Sequence, residues 1–215
     1  DFILQNLKIQ NNVIETAFNY GVKRFLFLGS SCIYPKYAKQ PIKEEYLLGG
    51  ELEETNQWYA IAKITGIKLC QALIQQYNFD AISLMPTNLY GPKDNYHPEN
   101  SHVMAALIKK FHDAVKNSEK TVTCWGSGEP LREFMHVDDL AKAVLFCLEY
   151  WYPFAENAPK DNKNNPLYFL NVGTGIDISI KKLAEKIARY SEFEGEIKWD
   201  LSKPDGTFRK KLSVK

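Results

Sequence analysis

The sequence predicts an α/β chain organised as a doubly wound, largely parallel sheet, and three observations carry that prediction. Short apolar strands at 23–28, 81–85, 121–125, 167–171 and 196–199 alternate with stretches of helical period. Most strands run into a turn-forming segment: Gly29-Ser30-Ser31, Pro86-Thr87-Asn88, the 126–130 turn and Gly173-Thr174-Gly175. No internal repeat or low-complexity tract breaks the alternation.

The elements follow in order. Ile3, Leu4, Leu7, Val13, Ile14, Ala17 and Phe18 recur with helical spacing, so 2–20 reads as a helix closed by Gly21. The run at 23–28 is a short apolar strand, and 35–55 is a polar, Gly- and Pro-containing loop without periodicity. A helix at 59–77 is carried by Ile61, Ala62, Ile64, Leu69, Ala72 and Leu73, and 81–85 is again a strand. Gly91, Pro92 and Pro98 make 88–101 a loop before a helix at 102–118. After the 121–125 strand and its turn comes a helix at 138–150 with Asp138 as its expected N-cap. A surface loop at 152–166, a strand at 167–171, a helix at 179–190 and a strand at 196–199 complete the pattern.

With 215 residues, 45% of them hydrophobic and 25% charged, the chain is long enough for one large or two small domains with a substantial core. A net charge of only +1 leaves no footprint for nucleic acid or an anionic membrane, so any anion is expected to be held by a few placed cations. No apolar run approaches the roughly 20 residues that span a bilayer. The N-terminal stretch lacks the basic-then-apolar layout of a signal peptide. Cys32, Cys70, Cys124 and Cys147 show no C-x-x-C spacing, so neither a metal site nor a disulfide frame is expected and the setting reads as a reducing cytoplasm. The sequence starts at Asp1 inside a helical stretch, as if cut into.

In a doubly wound sheet, chemistry collects where strands end and turn into loops around a common crevice. Ser30, Ser31 and Cys32 follow one strand end, and Pro86, Thr87 and Asn88 follow the next, so both segments are expected to line one cleft. Tyr59 and Lys63, four residues apart on a helix, share a face. The ammonium is expected to stabilise the phenolate, lowering a pKa ordinarily near 10 toward the working range of an acid-base catalyst. In a chain with 12 tyrosines, about one such pair arises by chance. Its position adds weight: the helix follows a strand ending in Gly-Ser-Ser, so a serine hydroxyl can meet the same substrate oxygen. Together with the thiol of Cys32 and the imidazole of His102, this set suits reduction of a ketone with proton transfer at the carbons beside it.

Longer segments extend the pattern along nearly the whole chain. They are Phe27-Leu28-Gly29-Ser30-Ser31-Cys32-Ile33-Tyr34-Pro35, Tyr59-Ala60-Ile61-Ala62-Lys63 and Met85-Pro86-Thr87-Asn88-Leu89-Tyr90-Gly91-Pro92. Asn100-Ser101-His102-Val103, Trp125-Gly126-Ser127-Gly128, Arg132-Glu133-Phe134-Met135-His136-Val137-Asp138-Asp139, Asn171-Val172-Gly173-Thr174-Gly175 and Lys203-Pro204-Asp205-Gly206-Thr207 continue it. In these segments the chain resembles the extended short-chain dehydrogenase/reductase family, and within it the bifunctional 3,5-epimerase-4-reductases of GDP-4-keto-6-deoxy-D-mannose. Ser-Ser-Cys and Asn-Ser-His are the specific segments.

The resemblance implies a partial Rossmann-like sheet with a smaller C-terminal substrate-binding α/β region. Residues 1–92 would be the remainder of the dinucleotide-binding domain, without its first strands and Gly-rich loop. Residues 93–215 would be mainly the substrate region, with 131–172 returning to the first domain. It also implies NADPH as cofactor, at Leu28, Gly29, Ser30, Ser31, Tyr59, Lys63, Pro86, Thr87, Asn88, Leu89 and His102. Ser30 would bond the C4 carbonyl, Tyr59 would protonate the alkoxide, Lys63 would tune Tyr59, Cys32 would be the base and His102 the acid at C3 and C5. Asn88, Lys110, Trp125, Arg132 and Asp205 would hold the GDP-sugar, Lys110 standing where the family tends to place arginine. His136, Asp138 and Asp139 are expected to cap a helix rather than do chemistry. A homodimer through 2–20 and 59–77 is implied. No Gly-x-x-Gly-x-x-Gly loop precedes a helix, so the chain alone is expected to bind NADPH poorly. Two other readings stay open: an NAD-dependent sugar-nucleotide 4-epimerase or 4,6-dehydratase, and a non-catalytic sugar-nucleotide-binding module.

Overall fold

A computed structural model describes residues 2–97 and 100–214, so Pro98, expected in the 88–101 loop, lies outside the described residues. The chain runs α1 (Phe2–Asn19), β1 (Phe25–Leu28), α2 (Gln57–Tyr77), β2 (Ala81–Pro86), β3 (Asn88–Tyr90), α3 (Val103–Lys116) and β4 (Thr121–Trp125). It continues through β5 (Leu131–His136), α4 (Val137–Tyr150), β6 (Phe169–Val172), β7 (Asp177–Ser179), α5 (Ile180–Tyr190), β8 (Glu196–Asp200) and β9 (Arg209–Lys210). None of the described helices is long and apolar enough to cross a membrane.

Three strands form a parallel sheet in the order β1-β2-β6, with Phe25 opposite Ala81 and Ser83 opposite Phe169. The middle strand β2 is buried along its whole length, as a parallel strand covered on both faces must be. Ala81 and Met85 face a cluster with Ile64, Ile67 and Cys70 of α2 and Ile14 of α1. Ile82 and Leu84 face Cys147 of α4 and the adjoining Trp151. Helices on both faces make this the doubly wound arrangement expected from the sequence.

Gly66 sets how closely α2 lies on the sheet: a Cβ there would meet the Phe27 ring at 2.4 Å. Replacing Gly66 by Val is expected to cost about 3 kcal/mol by overpacking, measured as a fall in the urea midpoint at constant slope. An unchanged midpoint would show that helix and strand are free to separate.

A second sheet, β3-β5-β7 with β9 also on β5, stands beside the first, while β4 and β8 pair separately. The β4–β8 pair packs with α3 and α5 around Phe111, Leu107, Cys124, Leu183 and Ala184. Of the 131–172 segment, β5 belongs to the second sheet and β6 to the first, with α4 between them on the first. β3, β5, β7 and β9 add strands to the sequence-based element map. The N-cap of α4 is His136, whose Nδ1 accepts from the Asp138 N–H, so Asp138 sits inside the first turn rather than at the cap.

Glu133 on β5 is fully buried and joins three segments. Its Oε1 accepts from the Gly175 N–H at 2.7 Å and from Thr174 Oγ1 at 3.3 Å; its Oε2 accepts from the Leu212 N–H at 2.8 Å. A Cβ on Gly173 would collide with that carboxylate, so glycine is required there. Glu133→Ala strands two buried backbone donors, and the expected loss is about 3 kcal/mol or more, read by chemical denaturation.

Candidate active site

Ser30 and Cys32 sit just past the carboxyl end of β1. Ser30 Oγ accepts from the Cys32 N–H at 3.2 Å, capping a short 3₁₀ turn at Ser31–Ile33. Gly29 donates to the Leu84 carbonyl at 2.8 Å, and a Cβ there would meet Met85 Sδ at 2.8 Å, so the chain passes β2 too closely for any side chain.

Tyr59 and Lys63 come in from the first turns of α2. Burial raises the Tyr59 phenol above its ordinary value near 10; the nearby Ser30 hydroxyl pulls it down, and the neighbouring Cys32 pushes it up. Lys63 Nζ donates to the Leu28 carbonyl at 2.9 Å and stands 5.9 Å from the centre of the Tyr59 ring. Burial lowers the lysine's own pKa. The i,i+4 spacing therefore brings the pair together, while the phenol's shift runs opposite to the expected direction, because desolvation of the phenolate is its largest cause and outweighs the lowering from Ser30. A phenol held protonated at neutral pH is a proton donor.

Around Cys32 the site is cationic. Lys210 Nζ lies 3.4 Å from Cys32 Sγ, and burial lowers the Arg132 pKa, with Cys32 and Asp205 opposing that shift in part. Ser31, Cys32, Lys36, Arg132 and Lys210 line a cavity of about 180 Å³. Lys210 had no assigned role in the sequence reading. Its only local signal was the basic run Arg209-Lys210-Lys211, and the partner is 178 positions away.

Pro86 ends β2 and Thr87 is buried; Thr87 Oγ1 and Asn88 Nδ2 both donate to the Glu133 carbonyl, at 3.0 and 2.8 Å. Their side chains thus fasten β2 and β3 to β5, and Leu89 lies half-buried on β3. His102 is the N-cap residue of α3, exposed and without a side-chain capping bond. Lys110 Nζ donates to the Thr123 carbonyl at 3.0 Å and lies 5.1 Å from the Trp125 ring, with Lys203 at 5.3 Å. Lys110, Trp125 and Ser101 share a second cavity of about 210 Å³. Ser101 Oγ is buried there without a hydrogen-bond partner among the described residues. The Asp205 carboxylate accepts from the N–H and hydroxyl of Ser127, both at 2.7 Å, and so holds the 126–128 turn. Arg132 reaches the Asp205 backbone carbonyl at 3.5 Å.

Ser30, Cys32, Tyr59, Lys63 and Arg132 therefore converge with Lys210. Lys110 and Trp125 form a neighbouring group, with Asp205 tied to the adjacent turn. Donors at Ser30, Tyr59 and Lys63 suit the amide-and-ribose end of a nicotinamide cofactor. Among the described residues no glycine-rich strand-to-helix turn is available for its pyrophosphate.

Residues 1–157 match the model of the NAD dependent epimerase/dehydratase family. The chain is 55% identical over 211 residues to "Probable GDP-L-fucose synthase 1" of Oryza sativa subsp. japonica, covering 98% of this chain and 60% of that protein. It thus spans about three fifths of the length of that curated relative. A GDP-6-OMe-4-keto-L-xylo-heptose reductase from C. jejuni superposes with a TM-score of 0.87 at 35% identity, over 99% of this chain and 69% of that one. A GDP-L-fucose synthetase from Naegleria fowleri bound to NADP superposes with a TM-score of 0.84 at 29% identity, over 99% and 64%. By family match, sequence identity and fold, the chain belongs to the NAD dependent epimerase/dehydratase family.

Proposed function

We propose that this chain carries the catalytic cluster of an NADPH-dependent enzyme converting GDP-4-keto-6-deoxy-D-mannose to GDP-L-fucose, acting as a cytoplasmic homodimer. The observation that supports it best is the convergence of two hydroxyls, a lysine and a cation-flanked thiol at the end of β1. Relatives named for GDP-L-fucose and for a GDP-4-keto sugar support the substrate class.

Hydrogens on C3 and C5 are acidic because each lies beside the C4 ketone. Cys32 removes one of them as base while Ser30 and Tyr59 donate to the enolate oxygen, the oxyanion-hole arrangement. His102 returns a proton on the opposite face. When NADPH is bound it supplies hydride to C4; Tyr59 then gives its proton to the C4 oxygen, and Lys63 holds the ribose. Arg132 offers a planar fork to the diphosphate. Trp125, Lys110 and the unpartnered Ser101 hydroxyl line the cavity for the remainder of the nucleotide. Asp205 accepts from the guanine edge or holds the Ser127 turn that shapes it. Exposed Phe2, Leu4, Ile9 and Val13 of α1, with Trp58 and Tyr77 of α2, provide the apolar surface for self-association.

Incubation with GDP-4-keto-6-deoxymannose in heavy water tests the reading. The test uses this chain and a chimera placing it behind the first strand-helix units of the rice relative. Deuterium is expected at C3 and C5, with His102→Gln slowing its entry about a hundredfold. A chimera that folds, oxidises NADPH and leaves C3 and C5 unlabelled points instead to a 4-reductase or 4-epimerase without proton exchange. A chimera that binds GDP-sugar with neither label nor oxidation points to a binding module.

A further inference from the structure

We propose that Lys210 is a positioning residue for Cys32, its ammonium holding the sulfur as a thiolate directed into the cleft. The use of that thiolate as a base rests on the function proposed above; the pair itself does not.

β9 pairs in parallel with β5, and the register sets Lys210 directly opposite Arg132. Cross-strand partners project to one face, and like charges placed opposite each other destabilise a sheet unless an anion lies between them. Arg209, one residue earlier, points to the other face and is matched there by Asp177, with Nε–Oδ2 at 2.5 Å. Among the described residues neither Lys210 nor Arg132 makes an ion pair, although the charge of Asp205 also acts on Arg132. The group within reach of Lys210 is Cys32, with Nζ 3.4 Å from its sulfur.

The segment bearing Lys210 is fixed on both sides. Lys211 donates its N–H to Gln40 Oε1 at 2.9 Å, its carbonyl accepts from the Ile42 N–H at 2.7 Å, and the Leu212 N–H meets Glu133 at 2.8 Å. The strand that carries the ammonium is thus held in place. The charged and titratable groups around Cys32 are Lys210 from β9, Arg132 from β5 with the Asp205 charge acting on it, Tyr59 from α2 and the Ser30 hydroxyl, and Arg209, paired with Asp177, lines the same cavity. Lys36 and Glu53, across the cavity, are paired with each other. Two cations against one sulfur favour the charged form. In the step this serves, the carbon–hydrogen bond breaks, its electron pair passes to the C4 oxygen, and a sulfur–hydrogen bond forms. Lys210 keeps its own protons throughout.

The test is alkylation of Cys32 in the folded chain, followed by peptide mass spectrometry. Cys70, Cys124 and Cys147 are buried and serve as slow internal controls. Relative to the unaltered chain, Lys210→Met is expected to alkylate about tenfold more slowly near neutral pH, with the rate profile displaced to higher pH, while Lys210→Arg stays close to the original. Superimposable profiles for the original and Lys210→Met would overturn the proposal. Should Lys210→Met not fold, the original chain still decides the matter. Anionic iodoacetate should be favoured over neutral iodoacetamide at low salt relative to a free thiol, and the preference should vanish at high salt. No preference overturns the pair. A pair upheld by alkylation, together with absent deuterium exchange in the chimera, would refute the proposed function and leave the thiolate in place.

Discussion

On the function proposed above, Tyr59→Phe in the chimera with the rice relative is expected to lower NADPH-dependent reduction of the C4 ketone by about a thousandfold, with little change in KM for the sugar nucleotide. The ring keeps its place in the half-buried start of α2, against Phe2 at 6.3 Å, so the protein stays folded. What disappears is the proton that the alkoxide receives and one of two donors aimed at the carbonyl oxygen. Ser30, close to the phenol and accepting from the Cys32 N–H, supplies only the other. Because burial raises the phenol's pKa, reduction by the unaltered enzyme proceeds below that raised value and declines as pH rises through it. The profile is therefore flat across neutrality with an alkaline limb, and Tyr59→Phe removes the limb. Retention of a tenth or more of the rate in Tyr59→Phe would assign the proton to another group.

On the same proposal, Cys32→Ser in the chimera is expected to abolish deuterium entry at C3 and C5, by at least about a thousandfold, yet to leave reduction of an already epimerised ketone within about threefold. Thiols as a class are far more acidic than a serine hydroxyl, which stays protonated through the working range. The substitution is close in volume, and the backbone N–H at this position keeps its bond to Ser30. Parallel loss of exchange and reduction would indicate a structural role for the sulfur. With Tyr59→Phe silencing reduction and Cys32→Ser silencing exchange, the two halves of the reaction are separately addressable.

The parts of this arrangement legible in the sequence are the local ones. The strand ending in Gly29-Ser30, the Tyr59–Lys63 spacing and the continuous apolar run of β2 each declare themselves within one element. β5 was hidden because its inward position carries Glu133, a charge where an apolar residue would complete the alternation. β7 and β9 have three and two residues, too short for any periodicity. The cation at Cys32 is a long-range contact, and no spacing rule links positions 32 and 210. The direction of the Tyr59 shift was equally unreadable, since it depends on how much solvent the fold removes rather than on which neighbour is four residues away. His102 lies at the exposed start of α3, where sequence marks it by its segment rather than by partners.

The clamp formed by Glu133, Gln40 and Ile42 on residues 211 and 212 also orders assembly in time. During synthesis, the sulfur emerges long before the residues that charge its surroundings, and every element holding the clamp open to receive them is translated first. A chain in which this short strand has not yet docked therefore lacks the ammonium beside the sulfur.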